Sequence, residues 1–164
     1  MPIDPIPASS ASDGRWKIAD VPSGSNALSV AILNGGTTKA MTYSFTDGGF
    51  NFTLDQATVT DKRLTLDTDL SRPGKKSEAG TLKYVDSADA DSAAALLVEG
   101  KTGQFVVRRG IPNATAWTVG QKVDIITYQL GAQRPDVPTE NGLDTITQGA
   151  YVTLPTVRKA TLVA

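Results

Sequence analysis

Large apolar residues recur at every second position in short runs, and the runs are punctuated by Gly, Pro, Asn or Asp. Each run then has one apolar face, so the chain reads as a series of short strands. The sharpest instance is Met41 to Leu54. Asp47-Gly48 suits a two-residue hairpin loop, because a type I′ turn needs positive φ at both centres. Folding there pairs Phe45 with Phe50, Tyr43 with Phe52 and Met41 with Leu54. Thr42, Ser44, Asn51 and Thr53 fall on the other face, so register and patterning predict the same hairpin.

The same reading extends along the chain. Leu28, Val30 and Ile32 share one face of a strand that Asn34-Gly35-Gly36 ends. Lys62 to Leu70 alternates, with Leu64, Leu66 and Leu70 inward and Arg63, Thr65, Asp67 and Asp69 outward. Ser71 to Glu78 reads as a long polar loop near 71–80 around Pro73-Gly74, and Thr81 to Val85 as a strand. Acids before Ser92, alanines within and Gly100 at the end predict one short flanking helix over about 87–99. Gly103 to Arg109 and Lys122 to Leu130 are strands. The second changes apolar parity at Ile125-Ile126, which requires burial on both faces or a bulge. Tyr151 to Val163 holds one or two more strands, interrupted at Pro155. The expected fold is mostly β, a sandwich or barrel of about eight strands with one short helix. Residues 1–25, rich in Pro, Ser, Asp and Gly, read as an N-terminal arm, either a floppy leader or a segment that orders on a neighbouring subunit with Trp16 as anchor, and 26–164 as a single domain.

Composition removes most chemistry. The 164 residues contain no Cys, which excludes a disulfide scaffold, a thiolate metal site and a cysteine nucleophile. They contain no His, the commonest general base and zinc ligand. The net charge of −1 supplies no basic excess for gripping a phosphate backbone. The N-terminus has no basic-then-apolar pattern of a secretory signal, and the longest apolar run, Ala93 to Val98, is far too short to span a membrane.

Fourteen of the 17 acids are Asp, so carboxylate chemistry needs testing. Asp67 and Asp69 share a strand face and could form a glycosidase pair or part of a calcium site, but no third ligand converges on them. A solvated polar face is the simpler reading. An EF-hand frame begun at Asp89 puts Ala94 where Gly is required and Gly100 where Glu belongs, so helix capping accounts for those acids. No nucleophile elbow, S-x-x-K motif or phosphate loop occurs. Arg108-Arg109 ends a strand, where neighbours point to opposite faces; one is expected inward or at an interface, the other in solvent. No catalytic residue, metal site or cofactor site is expected, and the chain reads as a non-enzyme.

Several segments occur in an informative order: Thr58 to Leu66, Arg72-Pro73-Gly74-Lys75, Leu82 to Val85, Gly103 to Gly110, Gly120 to Asp124, Tyr128 to Gly131 and Gln148. Over roughly residues 40–164 this order resembles the tail-tube, or major tail, proteins of long-tailed siphovirus-type bacteriophages. The resemblance implies a virion structural protein, made in the host cytoplasm, that forms hexameric rings stacked into a tube for the DNA genome. Its implied partners are further copies of itself and the tail terminator, tape-measure and distal tail proteins, with DNA as unbound cargo and no membrane. About twenty-four strands per ring at roughly 4.8 Å each would enclose a bore near 37 Å, wide enough for a duplex. Trp16, Arg72, Lys75 and Lys76 become candidate inter-subunit contacts, and Thr65, Asp67 and Asp69 a candidate lumen face whose carboxylates repel phosphate. A carbohydrate- or ligand-binding β-sandwich is the alternative; it would need exposed aromatic platforms, for which Trp16, Trp117 and Tyr151 are the free candidates.

Overall fold

The computed structural model describes residues 9–64 and 67–164. These form β1 (Trp16–Pro22), α1 (Val30–Leu33), β2 (Lys39–Ala40), β3 (Phe45–Asp61), β4 (Leu70–Val85), α2 (Ala93–Leu96), β5 (Thr102–Arg109), β6 (Lys122–Pro135), β7 (Thr145–Val152) and β8 (Val157–Thr161). The eight strands make one antiparallel sheet in the order β2-β1-β5-β6-β7-β4-β3, with β8 paired to β6. The protein is therefore mostly β, and the sheet is not closed into a barrel. Two compact units divide the chain.

The first unit gathers residues up to Tyr43 with Gly103–Thr127 and Thr156–Ala164. Its core joins Val21, Leu33, Val106, Trp117, Val123, Ile125 and Leu162, brought together from distant parts of the chain. β1 lies within the segment expected as an arm. It pairs with β5 from Trp16↔Arg109 to Pro22↔Gly103. Ile18 to Val21 are all buried, so this strand is covered on both faces and shows no alternation. Small Ala19 and polar Asp20 hide it from an apolar count. Leu28, Val30 and Ile32 do not form a strand: Val30–Leu33 is a single helical turn that buries Leu33. A short apolar run fits either period, and packing against the core decides between them.

The second unit comprises Ser44–Thr102 and Tyr128–Pro155. The hairpin expected at Asp47-Gly48 is not formed. Phe45 pairs with Tyr84 and Phe50 with Leu82, so Thr46 to Gly49 bulge out opposite Lys83 and the chain then resumes its direction. Gly48 takes the positive φ of 66° that the turn chemistry anticipates. Phe45 and Phe50 also meet, edge to face at 5.3 Å. The local contact is right, but the long-range partner β4 captures the strand. Ser71 to Glu78 belongs to β4 rather than to a loop. Of the strand expected over Lys62 to Leu70, residues 62–64 and 67–69 are not in a strand, Leu70 begins β4, and Thr65 and Leu66 lie outside the described residues. Pro73 is tolerated because the pairing is irregular between Gln56 and Thr58.

The expected helix over 87–99 contracts to Ala93–Leu96. Ser92 caps it, its Oγ accepting from Ala95 N at 3.3 Å. Side-chain amides from the sheet take the carbonyls that a helix end leaves over: Gln133 Nε2 donates to Ala94 O and Leu97 O, and Gln148 Nε2 donates to Leu97 O, all at 3.0 Å. Buried Tyr84 completes this network by donating to Gln148 Oε1 at 2.9 Å.

Candidate functional site

Strand alternation in the second unit separates a packed face from a bare one. Along β4, Gly80, Leu82 and Tyr84 are buried while Ala79, Thr81 and Lys83 are exposed. Register carries that division across the sheet. Leu82 and Tyr84 align with Gln148 and Ile146 of β7, and Leu130 of β6 aligns with Ala150. On the opposite face Thr81 sits between Asn51 and Gly149, and Ala79 between Thr53 and Tyr151, which in turn pairs with Gln129. The bare face thus runs over β3, β4, β7 and β6 and carries hydroxyl, amide and small side chains.

Charge on that face is locally neutralised. Lys83 Nζ lies 3.2 Å from Asp136 Oδ2. Thr145 and Thr147 hydroxyls donate to the same carboxylate at 2.7 and 2.8 Å. These hydrogen bonds stabilise the anion and hold the Asp136 carboxyl below its ordinary value, with Lys83 assisting.

A second feature is the length of the β3–β4 hairpin. β7 pairs with β4 only over Ala79–Val85. Beyond it, residues 54–61 and 70–78 continue as a two-stranded ribbon, with Leu54, Val59 and Leu70 exposed. A two-stranded ribbon is marginal in water without a further layer or strand. β3 also stands at one end of the strand order, so its outer edge is open over 17 residues among those described. Gly74 lets the ribbon close up: a Cβ there would lie 2.9 Å from Ala57 O.

Among the described residues no group of acids, His or Cys could hold a metal, and no helix is long and apolar enough to cross a membrane. The family model for phage tail tube protein matches residues 3–164. The chain belongs to that family. No curated protein matches it. As a phage tail tube protein it is a structural component of the virion tail.

The candidate residues named from sequence take distinct positions in this tail tube protein. Arg72 and Lys76 lie on the ribbon, opposite Val59 and Gln56, and Lys75 lies in the irregular stretch between them. Asp67 and Asp69 are exposed in the β3–β4 connection, not on a strand face, and Asp69 pairs with Lys62 at 3.4 Å. Thr65, placed with them on the candidate lumen face, lies outside the described residues. Trp16 stacks on its own chain's Arg109, whose guanidinium carbon is 4.8 Å from the ring centroid. The bare face of β3, β4, β7 and β6 was missed from sequence. Its signal was present in the alternation of Ala79 to Tyr84, but the partner strands were needed to extend it.

Proposed function

We propose that the protein assembles into hexameric rings stacked as the tail tube of a siphovirus-type phage, through which the DNA genome passes. The observation carrying this reading is the open outer edge of β3, because a long unpaired edge is a template for a strand of another chain. Repeating such pairing head to tail around an axis closes a ring. The bare polar face of β3, β4, β7 and β6 lines the bore in this reading, presenting Asn51, Thr53, Thr81 and Gln129 to the duplex rather than Asp67 and Asp69. A face of hydroxyls and amides with few free cations lets DNA slide without counterion-releasing grip. The β3–β4 ribbon, carrying Arg72, Lys75 and Lys76 and ending at Asp67 and Asp69, reaches the neighbouring ring. Trp16 serves the interface indirectly, by fixing Arg109. The protein is made in the host cytoplasm and meets tail terminator, tape-measure and distal tail proteins at the ends of the tube.

Negative-stain electron microscopy and sedimentation of the purified chain test this. Rings or tubes of one diameter, growing with concentration, are expected. A strict monomer at high concentration, even when seeded with virion tails, overturns the reading. Changing Thr53 and Thr81 to Lys should leave tubes intact but make them retain duplex DNA; unchanged DNA passage would remove this face from the bore.

A further inference from the structure

The first unit carries a groove of about 430 Å³ lined by Val107, Arg109, Lys122, Asp124, Arg158 and Lys159. Four cations therefore surround an apolar floor with one carboxylate among them. Asp124 is fully used inside the groove: Oδ2 accepts from Arg109 Nη2 and Oδ1 from the Lys159 backbone N, both at 2.8 Å. That second bond anchors Lys159 at a φ of 53°, a conformation few non-glycine residues adopt. The side chains of Arg158 and Lys159 are exposed and make no ion pair among the described residues. In a chain of net charge −1, this concentration of positive charge calls for an acidic occupant.

The second unit presents such a surface. Asp86 N donates to Asp144 O, and Asp136 N to Thr145 O, each at 2.9 Å, which joins the 86–91 and 136–144 connections. Asp86, Asp89, Glu140 and Asp144 are exposed there, beside Val137 and Leu143, which are 85% and 68% exposed. These connections thus carry exposed carboxylates and exposed apolar side chains, opposite in charge to the groove.

We propose that the groove of one copy receives the acidic 86–91 and 136–144 connections of the next copy. A ring needs a heterologous contact, in which two different patches of the same chain complement each other, and this chain carries such a pair. The pairing rests on the assembly reading above and gives it direction: strand edges supply adhesion, while opposite charge selects head-to-tail orientation.

Two charge-reversed variants test it: Arg158→Glu with Lys159→Glu, and Asp86→Lys with Asp89→Lys. Neither pair makes a side-chain hydrogen bond or ion pair among the described residues, and circular dichroism verifies that both variants are folded. Each alone should need about tenfold or more higher concentration to assemble, since like charges then meet. Mixed in equal amounts, they should recover wild-type assembly, because the acidic groove of one accepts the basic loop of the other and a six-membered ring can alternate them. Wild-type assembly should also weaken with added salt. A monomeric wild type defeats the assembly reading and this pairing with it. Wild-type rings, with variants that assemble unaided or a mixture that stays apart, defeat the pairing alone. So does a groove whose reversal abolishes only retention of added DNA.

Discussion

Replacing Arg108 should unfold the loop that follows β5 before anything else in the molecule. The residue has no exposed surface and no acidic partner among the described residues. Its guanidinium is held by neutral oxygens instead. Nη1 donates to Ala116 O at 3.0 Å and Gln121 Oε1 at 2.9 Å; Nη2 donates to Pro112 O and Thr115 O at 2.9 Å. The same group stacks on Trp117 at 5.0 Å. Burial lowers its pKa from the ordinary arginine value. Arg108→Met removes four hydrogen bonds of about 1 kcal/mol net each and a cation–π contact of about 1 kcal/mol. It returns about 2 kcal/mol by no longer desolvating a cation. The carbonyls of Pro112, Thr115 and Ala116 sit on residues at least partly open to water, which takes over as their partner. The net loss is about 3 kcal/mol. Urea titration below the assembling concentration should shift the midpoint down by about 1–2 M. Arg108→Lys should not rescue it, because an ammonium cannot reproduce four bonds in a planar fork. A Met variant within 1 kcal/mol of wild type, or a Lys variant of wild-type stability, would refute the argument.

Two further outcomes follow from the second unit. Asp136 has a folded pKa below its ordinary value of 3.8, so its contribution to stability is complete above that value and drains as pH falls through the lowered folded pKa. Stability profiles taken down through this range should show Asp136→Asn with a shallower acid decline than wild type; parallel curves would mean its threonine and lysine partners contribute nothing. Gly49→Ala should cost about 2 kcal/mol or more, because the added Cβ runs into Lys83 O on the partner backbone and lies 2.7 Å from Thr46 Oγ1. Gly48→Ala, which meets open space and only opposes a positive φ, should cost about 1 kcal/mol. Thermal melts that rank the two the other way would contradict the bulge geometry.

Local chemistry in the sequence determined what depends on a few adjacent residues. Runs of β-prone residues bounded by Gly located β5 and most of β6, and the apolar pattern located the Thr81–Val85 part of β4. Pro155 separates β7 from β8, as its missing N–H requires. At the parity change Ile125 and Ile126 are both buried: the buried positions are Val123 and Ile125 before it and Ile126, Tyr128 and Leu130 after it, and pairing to β8 is irregular between Val123 and Ile125. Arg108 and Arg109 divide between core and surface because consecutive strand residues must. Tertiary structure decided wherever two local solutions were close in energy. At Asp47-Gly48 a tight turn and a bulge use the same positive-φ glycine, and the choice went to the bulge because β4 offered Leu82 and Tyr84 as partners. Ser71 to Glu78 looks like a loop because both faces of the ribbon are bare, so it lacks the apolar alternation that burial writes into a strand. β1 escaped notice for the opposite reason: with both faces covered, it has no polar side to alternate with. Period two records one-sided burial. β1, buried on both sides with small Ala19 and polar Asp20 inside it, and the 71–78 part of β4, buried on neither, become visible only when their neighbours are in place.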